Sequence, residues 1–310
     1  MCWLCSTAVG DYRSGPATSS DLTEDPCLIV NTLSGRVRGM TSQSATGKQV
    51  NVWNSIPFAQ PPIGDLRFRH PKSMDPRGDV VRDAQALPNC CWQTMNDFFG
   101  NFTGWTMWNA NTELSEDCLY LSVTVLRPRP KNAAVMVWIF GGGFISGRST
   151  LENYDPKILV SEENVILFRS NKGFRPLDIY YLHFDQPGAL GNMGMLDQVA
   201  ALQWIHSMNI VFFGSNPDNI TLFGESAGAA SVSMHLLSPL SRNLFHRAIK
   251  QRGSATAPWA IGGKEETFTR GLKLAETVSC PHNRFNFSAT LDCFRTINAS
   301  VLVNNEAVRC

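Results

Sequence analysis

Short apolar runs alternate with longer helix-like stretches along this chain. The runs that predict buried strands are Tyr120 to Leu126, Ala134 to Phe140, Val165 to Phe168, Ile220 to Phe223 and Ala248 to Gln251. The stretches that predict helices are 195–208, with Leu196, Val199, Ala200 and Trp204 on one face, 229–237, 264–279 and 289–304. Leu28 to Met40 predicts a hairpin that turns at Ser34-Gly35. This order predicts an α/β fold, with a mixed, mostly parallel central sheet and helices on both faces.

One turn between a predicted strand and a predicted helix has the pattern G-x-S-x-G, at Gly224-Glu225-Ser226-Ala227-Gly228. A serine nucleophile at such a turn stands above the sheet, and the flanking glycines let neighbouring backbone approach closely. In a chain with 24 glycines the pattern also arises by chance. A second motif is therefore needed before Ser226 is interpreted as a nucleophile.

That second motif is Gly141-Gly142-Gly143-Phe144, at the end of the strand predicted at 134–140. Consecutive glycines let backbone N–H groups point into a cavity, which is what an oxyanion hole for ester hydrolysis needs. Alone, the run is equally compatible with a flexible turn. Together, and in this order, the two motifs indicate an α/β-hydrolase.

Composition narrows the class of protein. A chain of 310 residues is long enough for one large α/β domain or two small ones. The net charge of +1 gives no electrostatic basis for binding nucleic acid or an acidic membrane. No apolar run has the length of a membrane span. The spacing of the nine cysteines matches no zinc site, and we predict no metal and no cofactor.

Cysteines and glycosylation sequons together favour a secreted or extracellular protein. The predicted glycosylation sites are Asn101, Asn286 and Asn298, whereas Asn219 precedes a buried strand and is expected to stay unmodified. Residues 1–26 are polar and are predicted to be disordered, with no signal-peptide pattern. Either the true N-terminus is missing or the protein is not exported.

From about Leu28 onward the chain resembles the type B carboxylesterase family, and within it the cholinesterases. Besides the two glycine motifs, the stretches that carry the resemblance are Ile56-Pro57-Phe58-Ala59, Met107-Trp108-Asn109, Ser115-Glu116-Asp117-Cys118-Leu119-Tyr120-Leu121 and Gly191-Asn192-Met193-Gly194 leading to Asp197-Gln198. The resemblance implies an α/β-hydrolase fold without cofactor. It also implies that residues 27–310 are the N-terminal portion of such a domain, whose C-terminal part is missing.

The resemblance implies a role for each matched position. Ser226 is implied as the nucleophile that accepts the acyl group, and Gly142, Gly143 and the amide of Ala227 as the oxyanion hole. Two disulfides are implied, Cys91–Cys118 and Cys280–Cys293, with Cys91 preferred to Cys90 by counting back from Trp108. Arg67 and Glu116 are implied as a buried ion pair.

The same resemblance implies a choline ester as the small-molecule substrate. Trp108 matches the tryptophan on which cholinesterases seat a quaternary ammonium, and an indole face attracts such a cation. Glu225, Tyr154 and Trp259 are implied as further substrate-binding residues. The sequence departs from the family at Asn96, Ile145, Arg252 and most strongly at 169–181, where charge and glycine replace a buried strand end.

The glutamate and histidine that complete the family's catalytic triad have no counterpart in this chain. His235, His246 and His282 follow Ser226 but none has the family's catalytic context. We therefore expect the isolated chain to fold poorly and to be nearly inactive. A general carboxylesterase, a non-catalytic adhesion or signalling relative and an inactive truncated product stay open as alternatives. Homo-oligomerisation and membrane anchoring, which depend in this family on C-terminal segments, stay open too.

Overall fold

A seven-stranded mixed sheet carries the fold in the computed structural model, which describes residues 26–32, 34–95, 98–172, 190–207 and 212–305. The strands, including those of two small sheets, are β1 Ile29–Thr32, β2 Gly35–Arg38, β3 Met40–Gln43, β4 Gln49–Pro57, β5 Val81–Asp83, β6 Cys90–Cys91, β7 Leu114–Ser115, β8 Tyr120–Leu126, β9 Ala133–Ile139, β10 Ile166–Ser170, β11 Ser215–Glu225 and β12 Arg247–Gln251. Each strand predicted from an apolar run is present, with ends that move by up to five residues.

The large sheet has the order β12-β11-β9-β10-β8-β4-β3. Its first three neighbouring pairs are parallel and the next three are antiparallel. The mixed sheet predicted for an α/β-hydrolase is thus present, with antiparallel strands forming as many pairs as parallel ones in the described part. The predicted hairpin is the antiparallel pair of β1 and β2, which β5 extends into a small separate sheet.

The described α-helices are α1 Thr103–Thr106, α2 Lys157–Glu163, α3 Met193–His206, α4 Ala227–Leu237, α5 Lys264–Thr277, α6 Phe287–Thr296 and α7 Ala299–Asn304. The prediction of one helix over 289–304 was wrong, because Ile297 is extended and separates α6 from α7. Asn298 then begins α7, where its Oδ1 accepts a hydrogen bond of 2.9 Å from the amide of Ser300.

The predicted apolar face of α3 is present, and Leu196, Val199, Ala200 and Trp204 all border one open groove. Leu196 and Ala200 are half-buried there, whereas Val199 and Trp204 are buried. Further core contacts come from Ala201, Leu202 and Ile205, a quarter-turn or more away. The helix is apolar around most of its circumference, so the hydrophobic pattern did not distinguish its core face from its groove face.

Two apolar clusters are buried, the larger one around the central sheet and the smaller one around α5, α6 and α7. Arg67 joins the smaller cluster to the rest. Its Nε donates to Glu116 Oε1 at 2.8 Å, and its Nη1 donates to the carbonyl oxygens of Phe294 at 2.8 Å and Ile297 at 2.6 Å. The guanidinium thereby satisfies carbonyls at the end of α6, where the chain leaves the helix.

Several predictions concern residues outside the described part of the chain. They are the polar segment before Pro26, the rim position Asn96 and most of the divergent segment 169–181. Among the helices that the structure describes, none has the length and hydrophobicity needed to cross a bilayer.

Candidate active site

Ser226 occupies a turn between β11 and α4, and its backbone is in a region that L-residues rarely adopt. Its φ is 53° and its ψ is −120°. Such a conformation costs on the order of 1–3 kcal/mol and persists only where the surroundings impose it. The amide of Ser226 donates to the carbonyl of Gln251 at 2.9 Å, which fixes the turn against the end of β12. The side chain is therefore presented at the carboxyl edge of the sheet and at the start of a helix.

The two glycines of the motif allow this turn because no side chain would fit at either position. A Cβ atom at Gly224 would lie 2.6 Å from the carbonyl carbon of Gly228 and 2.7 Å from the carbonyl oxygen of Ile139. A Cβ atom at Gly228 would overlap the Ile139 carbonyl oxygen itself. The strand β9, the turn and the start of α4 therefore pack backbone against backbone.

The second glycine motif lies directly against the turn. A Cβ atom at Gly141 would lie 2.7 Å from Glu225 Oε2 and 3.1 Å from Ser226 Cβ. Gly142 and Gly143 follow with φ of 95° and 62°, and Gly142 O accepts hydrogen bonds of 3.0 Å from the amides of Ile145 and Ser146. The structure thus places next to Ser226 the loop that the sequence predicted for an oxyanion hole.

Three backbone amides are available beside the Ser226 side chain. Within the described part of the chain, no hydrogen bond occupies the amides of Gly142 and Gly143. Ala227 is the first residue of α4, and first-turn amides have no partner within their helix. These donors suit an oxygen on which negative charge develops during a reaction at Ser226.

Aromatic side chains form a row that leads away from the turn. The ring centroids of Trp108 and Tyr154 are 6.2 Å apart, and those of Tyr154 and Trp138 are 5.1 Å apart. Trp259 lies instead beside Phe144 of the glycine loop, at 6.3 Å. Trp108 is 44% exposed and Trp259 is 45% exposed, so both offer a ring surface to a ligand.

Glu225 gives the site its negative charge. Partial burial raises the pKa of its carboxyl group, and the positive charge of Arg252 acts in the opposite direction. Burial, together with the charge of Glu225, raises the pKa of Tyr154 to about 12. Tyr154 therefore stays neutral at physiological pH, next to the ring of Trp108.

Sequence patterns did not indicate which residues hold the glycine loop in place. The buried side chain of Gln93 accepts from the amide of Gly147 at 2.7 Å and donates to the Gly147 carbonyl at 3.0 Å. Lys172 Nζ donates to the carbonyl of Phe140 at 2.9 Å, directly before the glycines. Trp138, within the aromatic row, was likewise interpreted only as part of a strand. These contacts join residues distant in sequence, so no local pattern signals them.

Histidines are the usual bases for a serine nucleophile, and the described ones that follow Ser226 are engaged elsewhere. His235 is buried, with Nδ1 2.7 Å from Ser241 Oγ and Nε2 3.2 Å from Gln198 Oε1. His246 Nδ1 accepts from the amide of Ile220, and His282 Nδ1 lies 3.1 Å from Cys280 O. Among the described residues, none of them bonds to Ser226.

The cysteines and sequons have the following positions. Sγ atoms are bonded between Cys91 and Cys118 at 2.03 Å and between Cys280 and Cys293 at 1.97 Å, while Cys90 is a buried free thiol. The side chains of the three predicted glycosylation sites are exposed, at Asn101, Asn286 and Asn298. Across the described residues, no group of three or more histidine, cysteine or acidic side chains could hold a metal ion.

Comparison with known proteins identifies the family. A profile of the Carboxylesterase family matches residues 26–309. The chain is 49% identical to Acetylcholinesterase 1 of Caenorhabditis elegans over 269 residues, covering 85% of this chain and 43% of the relative. It is 46% identical to Cholinesterase of Mus musculus over 292 residues, covering 94% of this chain and 47% of the relative. The chain thus spans slightly less than half the length of these relatives. It belongs to the carboxylesterase family and has part of an α/β-hydrolase fold.

Proposed function

We propose that the protein to which this chain belongs is a serine ester hydrolase that acts on choline esters through an acyl-Ser226 intermediate. The observation that carries the proposal is the position of Ser226, in a strained turn and against a glycine loop in which no hydrogen bond from the described residues occupies the amides of Gly142 and Gly143. Family membership supports ester hydrolysis, and the names of the two relatives support a choline ester.

In the proposed reaction, Ser226 Oγ attacks the ester carbonyl carbon. The carbonyl oxygen becomes an oxyanion, which the amides of Gly142, Gly143 and Ala227 bind. A base takes the Ser226 proton and delivers it to the departing alcohol as the ester C–O bond breaks. Water then hydrolyses the acyl group from Ser226, which regains its proton. In this family the base is the histidine of the catalytic triad, and no histidine of this chain was predicted to take that role.

Choline specificity rests on the aromatic row and Glu225. A quaternary ammonium cannot lose its charge, and attraction to an indole face is worth about 0.5–2 kcal/mol. Trp108 offers such a face, and the Glu225 carboxylate adds a negative charge behind Tyr154. Trp259, beside Phe144, is proposed to contact the acyl group because it lies on the side of the glycine loop.

Covalent labelling tests the nucleophile. A fluorophosphonate probe should modify the full-length protein at Ser226, as located by peptide mass spectrometry. Ser226→Ala should abolish labelling, whereas Ser254→Ala, which removes a hydroxyl from a nearby loop, should leave it unchanged. Absence of labelling in a folded full-length protein would favour the non-catalytic adhesion or signalling alternative.

A matched pair of substrates tests choline specificity. Acetylcholine and its neutral isostere 3,3-dimethylbutyl acetate differ only in the charge of the alcohol. Trp108→Ala should lower the ratio of their kcat/KM values by about 2- to 30-fold. Trp105→Ala is the control, because Trp105 lies in the same segment but packs edge-to-face against Phe99, and it should leave the ratio unchanged. A ratio that Trp108→Ala does not alter would favour a general carboxylesterase.

The proposed setting is secreted or at the cell surface. The disulfides Cys91–Cys118 and Cys280–Cys293 and three exposed sequons are features of proteins that mature in an oxidising compartment. Treatment of the purified native protein with an N-glycosidase should lower its apparent mass. An unchanged mass would contradict modification at Asn101, Asn286 and Asn298.

A further inference from the structure

A second cavity lies beside β8 and β10, apart from Ser226 and the glycine loop. Its volume is about 290 Å³, and it is bounded by side chains of β3, β4, β8 and β10 and by the segment 150–157. Apolar side chains cover part of the wall, contributed by Met40, Val52, Leu87 and Leu151. None of the proposed catalytic or substrate-binding residues lines this cavity.

Arg169 places a buried positive charge in the wall. The residue is 5% exposed, and its two hydrogen bonds go to neutral acceptors, from Nε to Ser122 Oγ at 3.1 Å and from Nη1 to the Tyr154 carbonyl at 3.2 Å. Among the described residues, no carboxylate lies within ion-pair distance of its guanidinium, and Nη2 makes no hydrogen bond. Burial lowers the pKa of Arg169 to about 10, so the side chain is still a cation at neutral pH.

Two hydroxyl groups of the same wall also lack partners. Thr124 Oγ1 and Thr150 Oγ1 are buried without a hydrogen bond, and both residues border the cavity. Burial of the Arg169 cation, and of hydroxyls that have no hydrogen-bond partner among the described residues, costs free energy. The charge of Asp155 offsets the cost for Arg169 only in part, because the net effect on the Arg169 pKa is still a lowering. An anion with two oxygen acceptors would satisfy the free guanidinium donors and allow a hydroxyl to donate.

The charges at the entrance restrict which anion fits. Asp155 is paired with Lys157 at 3.1 Å, and Glu152 is exposed. The two carboxylates and the two cations, Lys157 and Arg169, sum to zero net charge. A multiply charged anion would therefore be repelled by two carboxylates and attracted by no excess of positive charge. A single negative charge on Arg169, followed by an alkyl chain against the apolar wall, suits both the charge and the lining.

We propose that this cavity binds a short aliphatic monocarboxylate, with its carboxylate on Arg169 and its alkyl chain against Met40, Val52 and Leu151. A planar guanidinium matches a carboxylate through parallel hydrogen bonds. The site is independent of the nucleophile. Arg169 nevertheless holds the carbonyl of Tyr154, whose ring belongs to the aromatic row, so the cavity and the candidate active site share one backbone segment.

Calorimetric titration of the full-length protein with butyrate, and with butyramide as its neutral counterpart, tests the proposal at constant ionic strength. Butyrate should bind at least about tenfold more tightly than butyramide, because a hydrogen bond to a charged group is worth about 1.5–3 kcal/mol. Equal affinities, no butyrate binding, or tighter binding of inorganic phosphate than of butyrate would overturn the proposal.

Variants locate the binding. Ser226→Ala should retain butyrate binding, and loss of binding in this variant would place the ligand in the candidate active site and overturn the proposal. Arg169→Met, of similar length but uncharged, should weaken butyrate at least about tenfold and leave butyramide unchanged. Thr150→Val should weaken butyrate less, by about two- to fivefold. If Arg169→Met does not fold, the wild-type comparison and Ser226→Ala decide the outcome.

Discussion

The strands β11 and β10 both run parallel to β9, on opposite sides of it, yet their ends are built in different ways. β11 ends in a turn that exists because Gly224 and Gly228 lack side chains. β10 ends in buried basic side chains, Arg169 within the strand and Lys172 two residues after it. The first solution depends on backbone contact and the second on partners supplied by remote carbonyl groups.

From this difference we expect the largest loss of stability to come from a substitution at the glycine turn. Gly228→Ala should lower the free energy of unfolding by more than about 3 kcal/mol, because the new Cβ would overlap the Ile139 carbonyl and both backbones would have to move. Gly263→Ala is the control, since that position has open space and an ordinary φ of −70°. Urea denaturation of the full-length protein followed by circular dichroism measures both. A Gly228→Ala midpoint equal to that of wild type would contradict the described packing.

The two strand ends also differ in how far the sequence predicted them. Gly224, Ser226 and Gly228 lie within five residues of one another, so a local motif predicted the turn, although the Ile139 carbonyl against which both glycines pack is remote in sequence. Arg169 and Lys172 were noticed only as charges that replace a buried strand end. Their acceptors, the carbonyls of Tyr154 and Phe140, lie 15 and 32 residues away, and nothing in the sequence specifies such pairings.

The same limit applied to the helices. The stretch 195–208 was predicted as a helix with one apolar face, but its pattern did not show that Ala201, Leu202 and Ile205 are buried as well, because the surrounding chain determines which apolar sides are covered. The break at Ile297 depends on Arg67, 230 residues earlier, which binds the carbonyl exposed there. Element type was therefore predictable from local pattern, and the faces and breaks that depend on tertiary contacts were not.

The second prediction concerns the pH dependence of stability and the buried residue His235 of α4. Burial, aided by the charge of Lys172, lowers the pKa of His235 to about 4, below the ordinary value of about 6.5. The unfolded chain therefore binds a proton that the folded protein refuses, and stability present above pH 6.5 is lost as pH falls towards 4. The expected loss between pH 7 and pH 4.5 is about 2–3 kcal/mol.

His235→Gln isolates that loss because glutamine can still bond to Ser241 and does not titrate. Urea denaturation at pH 7 and pH 4.5 should give a smaller drop for the variant than for wild type. Equal drops would mean that the folded protein does not lower the pKa of His235.

Lys172 supplies the third prediction and tests the end of β10 directly. Burial lowers its pKa well below the ordinary value of 10.5. Between this lowered pKa and the ordinary one, the unfolded chain binds a proton that the folded protein does not, so stability rises with pH towards 10. The slope contributed by one such group is at most about 1.4 kcal/mol per pH unit.

Lys172→Met removes the titrating group and keeps a long side chain between Phe140 and Phe144. Stability measured between pH 7 and pH 9.5 should rise less steeply in the variant than in wild type. Parallel profiles would show that Lys172 keeps its proton in the folded state, with the Phe140 carbonyl and the two aromatic rings as sufficient partners.

We expect the smallest effect, a change in cation binding, from substitution of Arg252, because its charge influences the site through the carboxylate of Glu225. Its positive charge lowers the pKa of Glu225, against the effect of burial, and also repels a cation on Trp108. Arg252→Gln should therefore strengthen tetramethylammonium binding at pH 8, by less than about fivefold. On acidification, the variant should lose that binding at a higher pH than wild type, since its Glu225 becomes protonated earlier.

Quenching of tryptophan fluorescence in the full-length protein measures both effects, with Arg242→Gln as the control for a general change in charge. Weaker binding at pH 8 would show that Arg252 supports the site through contacts other than the electrostatic one with Glu225.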